Sequence, residues 1–122
     1  MGKQKALTWK DLKTGLEWQR ESPGKMSWRQ ALDYAKSLTL DGKSDWRLPT
    51  LSELETLLDR SVLHDQLRPT MRSEVPFRDT LSYWSCTTFA DDTKNAWIVM
   101  FDGAYVLSYY KSNAYQVRCV RG

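Results

Sequence analysis

The chain has 122 residues and a mass of 14.3 kDa, the size of one domain, which excludes a two-domain enzyme. With 41% hydrophobic and 27% charged residues, six glycines and four prolines, it lies outside the disordered, collagenous and low-complexity classes. Eighteen basic against fifteen acidic side chains give a net charge of +3, a surplus concentrated in residues 1–30 and short of the dense basic stripe expected of a nucleic-acid module.

Along the chain, Ala6 to Trp18 reads as two short strands around a turn at Thr14-Gly15, with Leu16 and Trp18 on one face. Pro23-Gly24 breaks the pattern. Ser27 then caps a predicted helix over 27–38, whose apolar positions Trp28, Ala31, Leu32, Ala35 and Leu38 follow helical spacing. After Asp45-Trp46-Arg47-Leu48-Pro49, the run Thr50-Leu51-Ser52-Glu53 matches a capping box and opens a second helix lined by Leu54, Leu57 and Leu58. No period survives from Arg60 to about Asp79, a segment longer than an ordinary connection. The last forty residues read as sheet: Tyr83 to Phe89, Ala96 to Phe101, an Asp102-Gly103 hairpin turn, Ala104 to Tyr110, and Gln116 to Val120. Strands flanking a central pair of helices predict an α+β domain with no parallel Rossmann-like sheet and no glycine-rich phosphate loop.

Six tryptophans, six tyrosines and three phenylalanines make up 12% of the chain, and they divide by position. Trp18, Trp28, Trp46, Trp84 and Trp97 sit at apolar phase and are expected in the core, leaving Trp9 as the surface candidate. Tyr105, Tyr109, Tyr110 and Tyr115 crowd the last hairpin among Ser108, Lys111, Ser112, Asn113 and Arg118, a composition that suits a binding surface, since tyrosine gives rigid amphipathic contact area and Asn or Ser adaptable hydrogen bonds. Tyr105, Tyr109, Tyr110, Lys111, Asn113, Tyr115 and Arg118 are therefore the candidate ligand-binding residues, and Arg68, Arg72 and Arg78 of the long segment the candidate anion-binding ones, because arginine forks grip sulfate or carboxylate at two points. A strand has two faces, so part of the tyrosine set is expected to be structural.

The chemistry-bearing residues are few. A single histidine, His64, followed by Asp65 and near Ser61, does not make a triad, and Asp91-Asp92 and Asp102 read as turn formers rather than cation ligands. No metal site, cofactor or catalytic residue is expected. Cys86 and Cys119 can pair if their strands lie side by side, and stay reduced and buried in a reducing compartment. Lys3, Lys5, Lys10, Lys13 and Arg20 read as solvated charge. No stretch of about 18 apolar residues predicts membrane insertion, and Met1-Gly2-Lys3-Gln4-Lys5 lacks the apolar region of a secretory signal. A cytoplasmic setting is expected for a complete chain, and an extracellular or cell-surface one for a domain of a longer precursor.

The ordered series Thr14-Gly15-Leu16-Glu17-Trp18, Trp46-Arg47-Leu48-Pro49-Thr50 with Glu53-Leu54, Tyr83-Trp84-Ser85, Ala96-Trp97, Asp102-Gly103 and Val117-Arg118-Cys119-Val120-Arg121 carries a likeness from about Leu7 to Arg121. It resembles the family named for the C-terminal domain of the Legionella collagen-like adhesin. The resemblance implies a C-type-lectin-like fold, as in formylglycine-generating enzymes and in the variable proteins of diversity-generating retroelements, and a binding role at bacterial or phage surfaces. The namesake domain binds sulfated glycosaminoglycans at the end of a trimeric stalk, and this chain has no Gly-X-Y repeat to carry such a stalk. Neither the Glu-Pro-Asn or Gln-Pro-Asp loop nor the Trp-Asn-Asp strand of calcium-dependent lectins occurs here, and the two cysteines are not the closely spaced pair of the formylglycine-generating enzymes.

The combined expectation is a single α+β domain over 1–122, with its core in about 6–121, built from two helices packed on a small, mostly antiparallel twisted sheet whose terminal strands meet. The favoured function is non-catalytic binding of a glycan, polyanionic or protein ligand, without nucleic acid and with self-association open. An assembly domain without a small ligand is the alternative, and an enzyme of the formylglycine-generating type a distant one.

Overall fold

Ser27 and Thr50 each start a helix in the computed structural model, which describes residues 6–59, 70–78 and 81–122. Ser27 Oγ accepts from the Gln30 amide while the Gln30 side chain accepts from the Ser27 amide, a reciprocal cap that satisfies two otherwise orphaned donors of α1, Trp28–Ser37. α1 turns its buried Ala31 and Ala35 toward the sheet, and small side chains on that face allow a close approach. Thr50 and Glu53 form the same box at α2, Leu51–Glu55.

The second helix is shorter than its leucine spacing suggests. Thr56 turns its hydroxyl back onto the Glu53 carbonyl at 2.5 Å, and the chain leaves the helix there. Leu57 and Leu58 are buried beyond its end, and Leu58–Asp59 forms strand β4, paired antiparallel with β5, Thr70–Met71.

The first hairpin has β1, Thr8–Lys10, against β2, Glu17–Gln19, in a register that sets Trp9 opposite Trp18. Gly15, at φ +79°, closes its turn and donates to the Asp11 carbonyl at 2.7 Å. β10, Val120–Arg121, joins the other edge of β2, so the first and last strands share a three-stranded sheet, β1-β2-β10.

A five-stranded sheet in the order β3-β9-β6-β7-β8 forms the centre, from β3, Lys25–Met26, β6, Ser82–Thr88, β7, Asn95–Met100, β8, Tyr105–Tyr110, and β9, Tyr115–Gln116. All pairings are antiparallel except β6 with β9, which meet in parallel at Tyr83 and Gln116. The fold is α+β with two helices and a mostly antiparallel sheet among the described residues. Two details depart from expectation. The β7–β8 connection spans Phe101 to Ala104, with both Gly103 and Ala104 at positive φ, rather than an Asp-Gly pair alone. The run Gln116 to Val120 is not one strand, because Val117–Cys119 carry the chain from the large sheet to the small one.

The central sheet is buried on both faces, as the alternation along β6 and β7 requires. Tyr83, Val99 and Phe101 join Trp18, Leu54 and Leu57 on one side, whereas Trp84, Ala96 and Ile98 join Ala31, Trp46 and Val117 on the other. Trp18, Trp46 and Trp84 are buried as expected, while Trp28 and Trp97 are half-buried. The indole N–H groups of Trp28, Trp46 and Trp84 donate to the carbonyls of Ser85, Lys43 and Met26 at 2.9, 3.1 and 2.9 Å. Trp9 is half-buried and meets Phe77 edge-on at 5.9 Å, so it is a packing residue as well.

Candidate functional site

β8 is the edge of the central sheet, and its composition, Tyr-Val-Leu-Ser-Tyr-Tyr, places aromatic rings on both of its faces. Leu107 packs on the α1 side of the core and Val106 on the opposite side, which puts Tyr105 and Tyr109 with Leu107, and Tyr110 with Val106. Tyr105, Tyr109 and Tyr110 are 41%, 38% and 57% exposed.

Of these rings, Tyr109 is held from behind. Tyr109 lies 5.7 Å from Tyr115, which meets the buried Trp84 edge-on at 5.0 Å, so an exposed ring is coupled through a half-buried one to the core. Lys111 stands 4.0 Å over the Trp28 ring and donates to Thr88 Oγ1 at 3.0 Å, while its carbonyl accepts from the Trp28 amide at 3.0 Å. These contacts hold a cation beside the tyrosines at low entropic cost. Asn113 is exposed, and its amide donates to the Tyr110 carbonyl at 2.9 Å, closing the turn that leads to β9. A groove of about 260 Å³ adjoins this region, lined by Lys25, Met100, Asp102 and Tyr115 among others. Another cleft of about 320 Å³, lined by Gln19, Pro23, Tyr34 and Leu40, involves none of these tyrosines.

Two of the expected ligand residues are elsewhere. Arg118 is 3% exposed, with its guanidinium 3.8 Å over the Phe77 ring, donating to the Gln19 carbonyl at 2.8 Å, to the Arg20 carbonyl and to the Tyr83 hydroxyl at 3.0 Å. It ties the first hairpin to the sheet and does not reach the tyrosine surface. Arg72 is 6% exposed, and its two terminal nitrogens donate to the Asp11 carboxylate at 2.8 and 2.9 Å. Its fork is occupied by the chain's own carboxylate, so it is not an open anion site. Arg78 is exposed, with its guanidinium donating to the carbonyls of Met71 and Arg72 at 3.1 and 2.9 Å. Arg68, like Ser61, His64 and Asp65, lies outside the described residues.

Cys86 and Cys119 are free thiols rather than a disulfide. Their backbones are fixed to different neighbours, the Cys86 amide on the Pro49 carbonyl at 2.8 Å and the Cys119 amide on Gln19 Oε1 at 2.9 Å. Burial pushes both thiols up, Cys119 to about 12, so the reactive thiolate is disfavoured at neutral pH. No cluster of three or more His, Cys, Asp or Glu side chains suited to a metal ion occurs among the described residues.

A network of ion pairs joins the family-like words, with no signal for it in the sequence pattern. Glu17 is 7% exposed and accepts from Thr8 Oγ1 at 2.7 Å, Arg121 Nη1 at 2.7 Å and Lys43 Nζ at 3.3 Å. Burial works to raise its pKa, but these hydrogen bonds together hold the carboxyl below the usual range. Arg121 also holds Asp45 at 2.5 and 3.1 Å. Arg47 clamps Glu53 with two bonds of 2.7 Å, which keep the Glu53 carboxyl low, and exchanges backbone bonds with Val120 at 2.9 Å in each direction. Period-two alternation sets Glu17 on the face opposite Leu16 and Trp18, and the two cations over it come from distant segments.

The words that carry the likeness thus meet in space: Thr14 to Trp18 pairs with the last strand, and Trp46 to Glu53 is bridged to it through Val120. No curated protein matches the chain. The model of the Lcl C-terminal domain family matches residues 7–121, and with nearly every residue covered the chain belongs to that family.

Proposed function

We propose that the chain is a non-catalytic ligand-binding module of C-type-lectin-like fold, of the kind displayed at bacterial or phage surfaces, taking a glycan, another polyanion or a protein. The observation that carries this reading is the exposed Tyr109 on the edge strand, braced through Tyr115 against buried Trp84 and flanked by the held Lys111, with Tyr105 and Tyr110 exposed on the same strand. An aromatic ring presents a flat apolar face to a sugar or a peptide side chain, and the neighbouring Lys111 and Asn113 supply a cation and an amide for sulfates, carboxylates or hydroxyls. The half-buried Cys86 and buried Cys119 thiols, both held protonated by burial, favour binding over thiol chemistry.

Tyr110→Ala is the sharpest test, because Tyr110 is 57% exposed and its loss leaves the core intact. On a glycan array and on immobilised sulfated polysaccharide, the variant is expected to lose about tenfold or more in affinity, given that aromatic anchors commonly carry over 1 kcal/mol, with the melting temperature unchanged. Equal binding by wild type and variant removes Tyr110 and its face of β8 from the site, and equal binding by Tyr109→Ala removes the opposite face. A domain that serves assembly without a small ligand is the second reading, favoured by the length and neutrality of the β8 edge.

A further inference from the structure

We propose that β8 is a self-association edge, along which two copies of the chain pair antiparallel to join their central sheets into one continuous sheet. Phe101 N–H donates to the Leu81 carbonyl on the β6 side of β7, at 3.2 Å, and Lys111 N–H to the Lys94 carbonyl on the β8 side, at 2.8 Å. Backbone direction alternates along a strand, so the even-numbered residues of β7 bond β8 through Tyr105, Leu107 and Tyr109. The N–H and C=O groups of Val106 and Ser108, and the N–H of Tyr110, therefore face away from the sheet. The Tyr110 carbonyl accepts from Asn113. Among the described residues no strand pairs with this side.

The other edges are blunted in the ways that prevent pairing. β3 has two residues, begins with Lys25 and follows Pro23-Gly24; β1 has three and ends in Lys10; β10 is bridged by Arg47. β8 has six residues in unbroken register with β7, and carries no proline and no charge. Among the described residues this edge is open while those of β1, β3 and β10 are closed, which points to use.

A second copy fits it. An antiparallel register centred on Leu107 puts Val106 opposite Ser108 of the second copy, so that their outward N–H and C=O groups exchange hydrogen bonds. Tyr105 then faces Tyr109 of the second copy at both ends, a cross-strand aromatic pair. The uncharged strand brings no like charges together, which two chains of +3 would otherwise oppose. Side chains stay on the sheet faces, so the tyrosine surfaces of the two copies become continuous. This proposal does not rest on the ligand reading, since one is read by mass and the other by binding.

Sedimentation velocity and light scattering on the full chain from about 1 μM to about 1 mM test it. Wild type is expected to shift from monomer to dimer with concentration. Ser108→Pro, which replaces an outward-facing N–H and spares the β7 pairing, is expected to stay monomeric with its melting temperature kept. Tyr105→Lys with Tyr109→Lys sets lysine against lysine and is expected to be monomeric, whereas Tyr105→Lys with Tyr109→Glu sets lysine against glutamate and is expected to dimerise. These charge variants decide the matter should the proline variant fail to fold, because both tyrosines are substantially exposed. A wild type monomeric up to about 1 mM, including one that instead takes up an extended peptide, overturns the proposal. So does a dimer that survives the lysine pair.

Discussion

Asp11→Ala removes the carboxylate on which Arg72 is built. Asp11 is 1% exposed and takes both guanidinium nitrogens at 2.8 and 2.9 Å, with the Lys13 amide and the Thr14 hydroxyl each at 3.0 Å. The truncation leaves Arg72, itself 6% exposed, with the Thr56 carbonyl and Glu74 as partners for a charge they do not fully neutralise. Breaking a buried pair from one side costs about 3–5 kcal/mol. At about 2.1 cal/mol/K per residue, the unfolding entropy of a chain this size is about 0.26 kcal/mol/K, so the melting temperature is expected to fall by about 12–20 °C. Arg72→Met alone is expected to cost less, since Asp11 keeps two local donors, and the double variant to be more stable than the sum of the singles by about 2 kcal/mol. Urea and thermal unfolding of the four proteins measure this. Single costs below about 1 kcal/mol with strict additivity refute the structural role assigned to the pair. So does an Arg72→Met that keeps its melting temperature yet loses affinity for sulfated polysaccharide, which would return Arg72 to the ligand site.

The same pair sets an acid limit. Arg72 holds the Asp11 carboxyl, and Arg47 the Glu53 carboxyl, below their ordinary values of 3.8 and 4.5, so their contribution is present above those values and is lost as pH falls through the lower folded ones. Chemical denaturation from pH 7 to pH 2 is expected to show that loss, and Asp11→Asn to flatten it. At the alkaline end the sign reverses: Cys119 rises from 9.0 to about 12, so the unfolded chain ionises first and stability declines between those values. Cys119→Ala should remove much of that decline, and an unchanged slope would refute burial as its cause. Trp84→Phe takes away the donor to the Met26 carbonyl, leaving that acceptor unmatched, and is expected to cost about 1–3 kcal/mol by the same unfolding assays. Glu53→Ala removes half of the α2 cap and the Arg47 clamp together, for an expected loss of about 1–2 kcal/mol.

Features decided within a few residues were legible in the sequence. The Ser27 and Thr50 caps, the Thr14-Gly15 turn and the alternation along β6 and β7 each depend on near neighbours, and each is where the pattern put it. Leu57 and Leu58 fit a helix in sequence because three- and four-residue spacing looks the same whether the helix continues or a strand follows. Thr56 and the partner strand β5 made that choice. Arg72 and Arg118 resemble ligand groups in sequence because sequence displays a charge but not its partner. Those partners stand 61 positions away, at Asp11, and 99 positions away, at Gln19. The tyrosines were legible as a cluster, but their division between two faces required the register against β7. Lys111 was visible as a cation, whereas its seat over Trp28 depends on the approach of α1 to the end of β8.

The closure of both sheets by late segments bears on how the chain reaches this state. β2 receives its second partner only from Val120–Arg121, and β3 its neighbour only from Tyr115–Gln116. A chain elongating from its N-terminus has made the first hairpin and α1 long before either exists, and until then Trp18 and Glu17 lie against an open edge. Cooperative folding therefore waits for Val120–Arg121, and loop closure across about a hundred positions slows it. Until β10 pairs, the neutral β8 strand is the segment most in need of protection from other nascent chains, and the strand that locks the first hairpin, Val120–Arg121, is the timer of assembly.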